Sequence, residues 1–197
     1  LGLGIRVFRS TVKEDRDDDG GTEVRAKTSW GVSPSATLSW SPSSVSLAYL
    51  RVASAFRPGG LDPSNMETRR YDADQLVAFE AGFRQNSING RLQFELGAFS
   101  SLWSDVQSDY LLDTGLVATR NAGDARILGG ELTVRWRPTA AWSFVAGASG
   151  QRARLIRGID GADLERDPRL PVVPGVSGHF EVRHSINASS WQVSPTV

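Results

Sequence analysis

An acidic run near the start of the chain has the spacing of a calcium-binding loop. It reads Asp15-Arg-Asp-Asp-Asp-Gly20, so Asp15, Asp17 and Asp19 stand at alternate positions and a glycine follows them. Carboxylates spaced in this way can converge on one hard cation, and the glycine allows a sharp turn. The twelfth position is Ala26, however, where a calcium loop has a bidentate glutamate. The run therefore predicts either a Ca²⁺ site in an outer loop or a solvated acidic hairpin, and we expect no other cofactor.

The other polar residues show no pattern that is typical of an enzyme. His179 and His184 differ in parity, so they point to opposite faces of a strand and cannot share a metal ion. The absence of cysteine excludes disulfides, thiolate metal sites and a cysteine nucleophile. The sequence also lacks a Gly-x-Ser-x-Gly elbow, a phosphate-binding loop and a dinucleotide fingerprint. We therefore predict that the protein is not an enzyme.

The overall charge and hydropathy argue against two further classes of protein, which are nucleic-acid-binding proteins and proteins with membrane-spanning helices. The 197 residues include 22 basic and 22 acidic side chains, and this zero net charge argues against a nucleic-acid partner. The longest uninterrupted apolar runs have four residues, as in Leu47–Leu50, whereas a membrane-spanning helix needs roughly 20. The lack of long apolar runs does not exclude a membrane β-barrel, because the apolar residues of its strands alternate with polar ones.

The dominant pattern of the chain is an alternation with a period of two. From Leu128 to Arg137, one parity carries leucine, valine and tryptophan, and the other carries glutamate, threonine and arginine. This pattern predicts a strand with one apolar and one polar face. Val45–Phe56 alternates less cleanly, because Leu50 and Val52 fall on the face that we expect to be polar. The same alternation recurs at 36–40, 75–84, 91–98, 142–149 and 176–183. We therefore predict an all-β chain.

The connections between these strands are of two kinds. Short turns centred on Pro42, Asn89, Pro138 and Asn187 follow one another at steps of 47, 49 and 49 residues. Long polar connections lie between them, at 57–74, 104–124 and 157–171, and a further one is expected at 13–21. Short turns at one end and long loops at the other are typical of an outer-membrane barrel. A soluble β-sandwich would more often place its strands at intervals of roughly 8–12 residues.

Three tryptophans lie beside the short turns. Trp40 precedes one turn, Trp136 and Trp142 flank another, and all three share the parity of the apolar face. Indole side chains prefer the headgroup region, so these residues are expected to form an interfacial girdle in outer-membrane lipid. The alternative is three core tryptophans near the ends of a soluble sheet.

Several segments together resemble one known family. They are Val52-Ala-Ser-Ala-Phe-Arg-Pro-Gly-Gly-Leu61, Tyr71–Phe83, Gly90–Phe99, Trp103-Ser-Asp-Val-Gln107 and Asn121-Ala-Gly-Asp-Ala-Arg-Ile-Leu-Gly-Gly-Glu131. In this order and spacing they are similar to strands and loops of the TonB-dependent receptors of Gram-negative outer membranes, over about residues 33–185. The resemblance implies an antiparallel, up-and-down transmembrane β-barrel with short periplasmic turns and long extracellular loops.

The family pattern is only partly present. Its members have an N-terminal plug domain, a short TonB-contacting box and a barrel of about 22 strands. This chain shows neither plug nor box, and about nine strands are expected. We therefore expect residues 1–197 to be a partial barrel domain that is truncated at both ends. The TonB complex would act through the plug that this chain lacks.

The resemblance implies the uptake of a scarce small-molecule ligand, such as a metal chelate, a cobalamin or an oligosaccharide. The ligand-facing loops would be 57–70, 109–121 and 157–169. The candidate ligand-binding residues are Arg57, Arg69, Arg70, Tyr110, Arg120 and Asn121 in the loops and Glu80, Arg84, Glu131 and Arg135 in the lumen. The lumen charges are mixed in sign, so cross-strand pairing or contact with a plug would also explain them. A passive porin or adhesin barrel, and a soluble β-sandwich binding module, are the alternatives.

Overall fold

The structure is a computed structural model of the chain. It describes residues 1–18, 21–61, 70–112, 115, 117–158, 169–170, 174–188 and 191–193, and for 16–18, 21–23, 186–188 and 191–193 it describes the backbone alone. Within these residues, no helix is long and apolar enough to cross a membrane.

Fourteen strands are present among the described residues, and all of their pairings are antiparallel. In chain order they are β1 Gly2–Asp18, β2 Gly21–Ser43, β3 Ser46–Arg57, β4 Gly60–Leu61, β5 Arg70–Tyr71, β6 Asp74–Asn86, β7 Leu92–Ser104, β8 Gln107–Leu111, β9 Val117–Asn121, β10 Gly123–Trp136, β11 Trp142–Gly158, β12 Val176–His184, β13 Ile186–Ala188 and β14 Trp191–Val193.

Eight of these strands form one continuous sheet. Its order is β1-β2-β3-β6-β7-β10-β11-β12, so each long strand pairs with the next long strand along the chain. The short hairpins β4–β5 and β8–β9 lie in the long connections at one end of the sheet. This arrangement confirms the all-β, up-and-down partial barrel with short turns at one end, and the described strands do not divide into the two packed sheets of a sandwich.

The sheet has two chemically different faces. One face carries large apolar side chains that are exposed, with Leu50 at 59% and Leu128 at 54% relative exposure. The buried apolar residues among those described are few and small, such as Ala118 and Ala125. A soluble domain would bury its large side chains first. The exposed apolar face is therefore the outside of the barrel, and the opposite face, with most of the strand charges, is the lumen side.

The structure corrects the expected orientation of the third strand. Leu50 pairs with Leu38 and Ala81, and Val52 pairs with Ala36 and Phe79. Directly paired residues share a face, so Leu50 and Val52 lie on the apolar outer face. The prediction of a polar position was wrong because apolar residues also occur on the lumen side of this strand, where Leu47 and Tyr49 lie beside Arg84.

The connection expected at 13–21 is also different. The β1–β2 ladder continues without interruption from Gly2↔Thr37 to Asp18↔Gly21. Lys13–Asp18 is therefore strand, because the backbone hydrogen bonds of a hairpin can extend beyond the part of a barrel that lipid covers. Asp15 is exposed on this strand, whereas the side chain of Asp17 and all of Asp19 lie outside the described residues. The calcium site stays a prediction.

Two of the short turns differ in detail from the expectation. Strand β2 runs through Pro42 to Ser43, and its register with β3 shifts between Trp40 and Ser43, a bulge that accommodates a residue without an N–H. After β12, Ile186–Ala188 forms strand β13 instead of a turn and pairs with β14. The expected nine strands thus correspond to eight long strands and the short β14 among the described residues.

Candidate functional site

The loop end of the sheet is organised around a buried carboxylate. Asp74, at the start of β6, is only 3% exposed and pairs with Arg57, the last residue of β3. The Arg57 Nε donates to Asp74 Oδ2 at 3.1 Å, and Arg57 Nη2 also contacts this oxygen. The backbone N–H of Gln107 donates to the same oxygen at 3.2 Å. Asp74 therefore joins the ends of β3 and β6 to the beginning of β8.

Two amide side chains attach the small hairpins to the loop backbone close to this carboxylate. Gln107 Nε2 donates to the carbonyl oxygens of Pro58 at 3.1 Å and Asp72 at 2.9 Å. The Asn121 amide accepts from the Asp72 N–H at 2.7 Å and donates to the carbonyls of Asp72 and Asp105. The structure thus gives Asn121 a positioning contact with the backbone of two loops. Its role in ligand binding stays a prediction.

Two more ion pairs hold strands and loops together at the loop end of the sheet, which we call the mouth. Lys27 of β2 reaches the Asp72 carboxylate at 3.2 Å, and Arg157 Nε reaches Asp124 Oδ2 at 2.8 Å. The backbone N–H of Asp105, which donates to Asp124 Oδ1 at 3.0 Å, is the largest contribution that lowers the pKa of Asp124, and Arg157 lowers it further. These contacts lie beyond the apolar part of the strands, where water can reach them. They hold the bases of the loops together. Within the described residues, no three acidic or histidine side chains cluster as metal ligands.

The β8–β9 hairpin carries a candidate contact for a ligand, in which an arginine lies over an aromatic ring. The Arg120 guanidinium lies 4.8 Å from the centre of the Tyr110 ring, and Arg120 is exposed. Arg70 is exposed on β5, where it pairs with Leu61. Arg69 and most of the 157–169 loop lie outside the described residues. A cation stacked on a ring in this way presents charge and an aromatic surface together, which suits an anionic or aromatic ligand.

The predicted lumen charges are brought together in pairs. Arg135 donates to Glu95 at 2.8 Å, and Arg84 donates to the other oxygen of the same carboxylate at 3.2 Å. Glu80 forms a pair of 3.4 Å with Arg51. Glu131 lines a recess of about 110 Å³ together with Arg84 and Glu95, and no ion pair of Glu131 occurs in the described part of the chain. The lumen side is thus polar and balanced in charge, which favours a water-filled passage.

The three predicted girdle tryptophans lie on the outer face beside the short turns. Trp40, Trp136 and Trp142 are 67%, 49% and 40% exposed. Trp136 and Trp142 stack on Phe144 at 5.4 and 5.8 Å, and Trp142 also stacks on His184. Their contact with lipid stays a prediction.

Sequence reasoning missed several residues of this arrangement. Asp74 and Gln107 were not candidates, because their partners are 17 and 49 residues away and only the register brings them together. Trp30 was missed as well. It is 66% exposed, shares the parity of Trp40, and lies under the guanidinium of Arg9 at 5.3 Å. The sequence signal for Trp30 is its spacing of ten residues from Trp40. A strand needs about this many residues to cross the apolar band of a membrane.

Comparison with solved structures identifies the same fold elsewhere. The ferric yersiniabactin uptake receptor FyuA from Yersinia pestis superposes with a TM-score of 0.73 at 20% identity, covering 98% of this chain and 29% of that one. The siderophore receptor PiuA from Acinetobacter baumannii gives 0.70 at 16% identity, with 92% and 28% covered. The copper transporter OprC gives 0.65 at 19% identity, with 92% and 29% covered. This chain therefore spans under a third of the length of these structures.

The sequence comparison agrees with the structural one. No curated protein matches the chain significantly. The family described as TonB dependent receptor-like, beta-barrel, matches residues 1–194. Its members and the structural neighbours are receptors and transporters, in agreement with the prediction of a protein that is not an enzyme. The chain belongs to the β-barrel family of TonB-dependent receptors.

Proposed function

We propose that this chain forms part of the barrel wall of an outer-membrane transporter that takes up a scarce metal chelate. The observation that carries the proposal is the difference between the two faces of one continuous sheet. The outer face exposes leucine, phenylalanine and tryptophan, and the lumen face holds charge pairs such as Arg135–Glu95. A sheet of this kind fits lipid on one side and water on the other.

The ligand class follows from the mouth and from the relatives. The exposed Arg120, which lies over the half-buried Tyr110, and the exposed Arg70 favour a ligand that has negative charge and aromatic or planar groups. Ferric siderophores combine these properties. Two of the similar structures are named as a ferric yersiniabactin uptake receptor and a siderophore receptor. Cobalamin and oligosaccharides carry less negative charge and fit this pair less well.

The partners of the whole protein belong to the same proposal. The parent protein would lie in the Gram-negative outer membrane, and its plug domain would contact the TonB complex. The lumen charges would then face either water or the plug. Glu95 pairs with both Arg84 and Arg135, and Glu131 beside them supplies the second carboxylate that balances the two guanidinium groups. This balance supports both uses, because balanced charges neither trap an ion nor repel a passing ligand.

The experiment uses the full-length gene in its own host. We expect a deletion strain to lose growth under iron limitation on at least one ferric siderophore, and the complemented strain to regain it. Uptake of radioiron on that siderophore should be saturable and should stop when TonB is deleted. Unsaturable uptake that does not need TonB would favour the porin, and recovery of the protein from the soluble fraction would contradict a membrane barrel altogether.

The ligand site is tested by R120Q and Y110A in the complemented strain. Each change removes one partner of the cation–π pair, so we expect the apparent affinity for the siderophore to fall about two- to fivefold. R91Q is the matched control, because Arg91 is exposed beside a short turn at the other end of the sheet. Unchanged affinity in both mouth variants would remove the assignment of Tyr110 and Arg120.

A further inference from the structure

Three arginines lie on the outer face of the sheet, the face on which apolar residues predominate. Arg126 of β10 pairs with Arg154 of β11, and Arg152 pairs with Leu128. Arg126 has the same parity as Leu128 and Trp136, and its partner on the other side is Leu102. All three arginines are exposed. They therefore point away from the lumen, into the region that the barrel presents to its surroundings.

The height of these arginines above the tryptophans beside the short turns can be estimated from the length of the strands. Arg126 lies ten residues from Trp136, and Arg152 lies ten residues from Trp142. Ten residues of antiparallel strand extend about 34 Å, and a barrel tilt of about 40° reduces this to a height of about 26 Å. The apolar band of such a barrel is about 25 Å tall. The arginines thus stand at the membrane interface opposite the tryptophans, on the side of the long loops.

A more distant strand of the same sheet, β2, has the same spacing between its outward aromatic residues. On β2, Trp30 lies ten residues from Trp40, and both are exposed on the outer face. Trp30 also carries the guanidinium of Arg9 on its ring. Between these two levels, the outward residues of β10 and β11 are uncharged, for example Leu132 and Ala148. On the side of the long loops, the membrane interface is therefore marked by arginines on one part of the sheet and by a tryptophan on another.

The three arginines have no acidic partner in the described part of the chain. The carboxylate nearest to Arg126 along its strand is Asp124, and it is bonded to Arg157 instead. Arg126 and Arg154 stand directly opposite each other, and like charges in that position destabilise a sheet. An anion shared between the two guanidinium groups would remove this repulsion.

We propose that Arg126, Arg152 and Arg154 bind the phosphate of an anionic lipid head group, a chemistry that phosphatidylglycerol represents in the test. The inference rests on the proposed barrel, which brings this face into lipid. Guanidinium groups bind phosphate oxygens through paired hydrogen bonds, and basic clusters at the membrane surface attract anionic lipid. The adjacent Leu102 and Leu128 would contact the acyl chains below the same head group.

The test measures lipid retention by the purified full-length protein. Phosphatidylglycerol or phosphatidylcholine is titrated into the protein in a neutral detergent, and native mass spectrometry counts the bound lipids. We expect R126Q/R154Q to weaken the tightest phosphatidylglycerol site roughly 10- to 30-fold, and phosphatidylcholine to bind no variant at this level. Inorganic phosphate at millimolar concentration should not displace the lipid, and displacement would overturn the assignment to a lipid.

The matched control is R91Q/R137Q. These two arginines are also exposed cross-strand neighbours, with the Arg137 N–H donating to the Arg91 carbonyl at 2.7 Å, but they have the parity of the lumen face and lie beside the short turns. We expect the control to retain phosphatidylglycerol like the unchanged protein. If R126Q/R154Q does not fold, the single variant R152Q repeats the test at the same level. Equal retention by a folded variant and the unchanged protein would overturn the inference.

Failure of this inference is distinguishable from failure of the proposed function. A protein that fractionates with the outer membrane and supports siderophore uptake, but retains phosphatidylglycerol equally in all variants, would contradict only the lipid site. A protein that is recovered in the soluble fraction would contradict the barrel itself.

Discussion

Arg57 and Asp74 are ladder partners at the loop ends of β3 and β6, and they differ sharply in exposure. The Asp74 side chain is 4% exposed, whereas that of Arg57 is 51% exposed and also lies 5.7 Å from the Trp103 ring. A buried carboxylate depends on its hydrogen bonds, because it has lost its solvation by water. Asp74 therefore connects the strand ends at the mouth of the barrel through its buried hydrogen bonds.

Replacing this carboxylate should destabilise the barrel. D74A removes the acceptor of Arg57 and of the Gln107 N–H, so we expect the free energy of unfolding to fall by about 2–4 kcal/mol. The measurement is urea unfolding of the full-length protein refolded in lipid vesicles. D109A is the control, because Asp109 is exposed on β8, and a change of at most about 0.5 kcal/mol is expected there. Similar losses in both variants would contradict a special role of Asp74.

The charge pairs of the lumen should contribute much less. Glu95 accepts from Arg84 and Arg135, but its side chain is 31% exposed and the arginines are 50% and 41% exposed. Ion pairs that face water contribute about 0–1 kcal/mol each. We expect E95Q to cost about 1 kcal/mol or less in the same unfolding assay. A loss as large as that of D74A would mean that the lumen side is dry rather than water-filled.

Close packing on the lumen face gives a third prediction. Gly82 lies opposite Tyr49, whose ring would be 2.3 Å from a Cβ at this position. In G82A the ring must move, and we expect a loss of about 1–3 kcal/mol from this overpacking. G150A is the control on the outer face, where the nearest atom to a new Cβ is 3.9 Å away. Equal unfolding midpoints for the two variants would show that Tyr49 does not cover Gly82.

The faces of most strands could be predicted because alternation is a local property. In β10 the pattern from Leu128 to Trp136 is visible without any partner strand. In β3 both faces carry apolar residues, so Leu50 was oriented only by its pairing with Leu38 and Ala81. Lys13–Asp18 was mistaken for a loop because polarity alone does not distinguish a loop from a strand that continues into water.

The candidate site was less predictable because its contacts are distant in sequence. Arg57 was recognised from its Pro-Gly-Gly neighbourhood, but its interaction with Asp74 depends on the register of β3 and β6. The outward arginines Arg126, Arg152 and Arg154 were not recognised either. Their parity and their spacing from the tryptophans can be read from the sequence, but the direct pairing of Arg126 with Arg154 emerges only from the register of the sheet.

The measurement that tests the central claim most directly is a spin-label scan of β10 in the full-length protein in vesicles. We label single cysteines that replace Leu128, Leu132, Val134, Glu131, Thr133 and Arg135. Collision of each label with oxygen and with a water-soluble nickel complex is then measured. We predict that labels at Leu128, Leu132 and Val134 collide mainly with oxygen, because they face lipid, and that the other three collide mainly with nickel. Uniform exposure to nickel along the strand, or the opposite alternation, would contradict a barrel wall with lipid on one face and an aqueous lumen on the other.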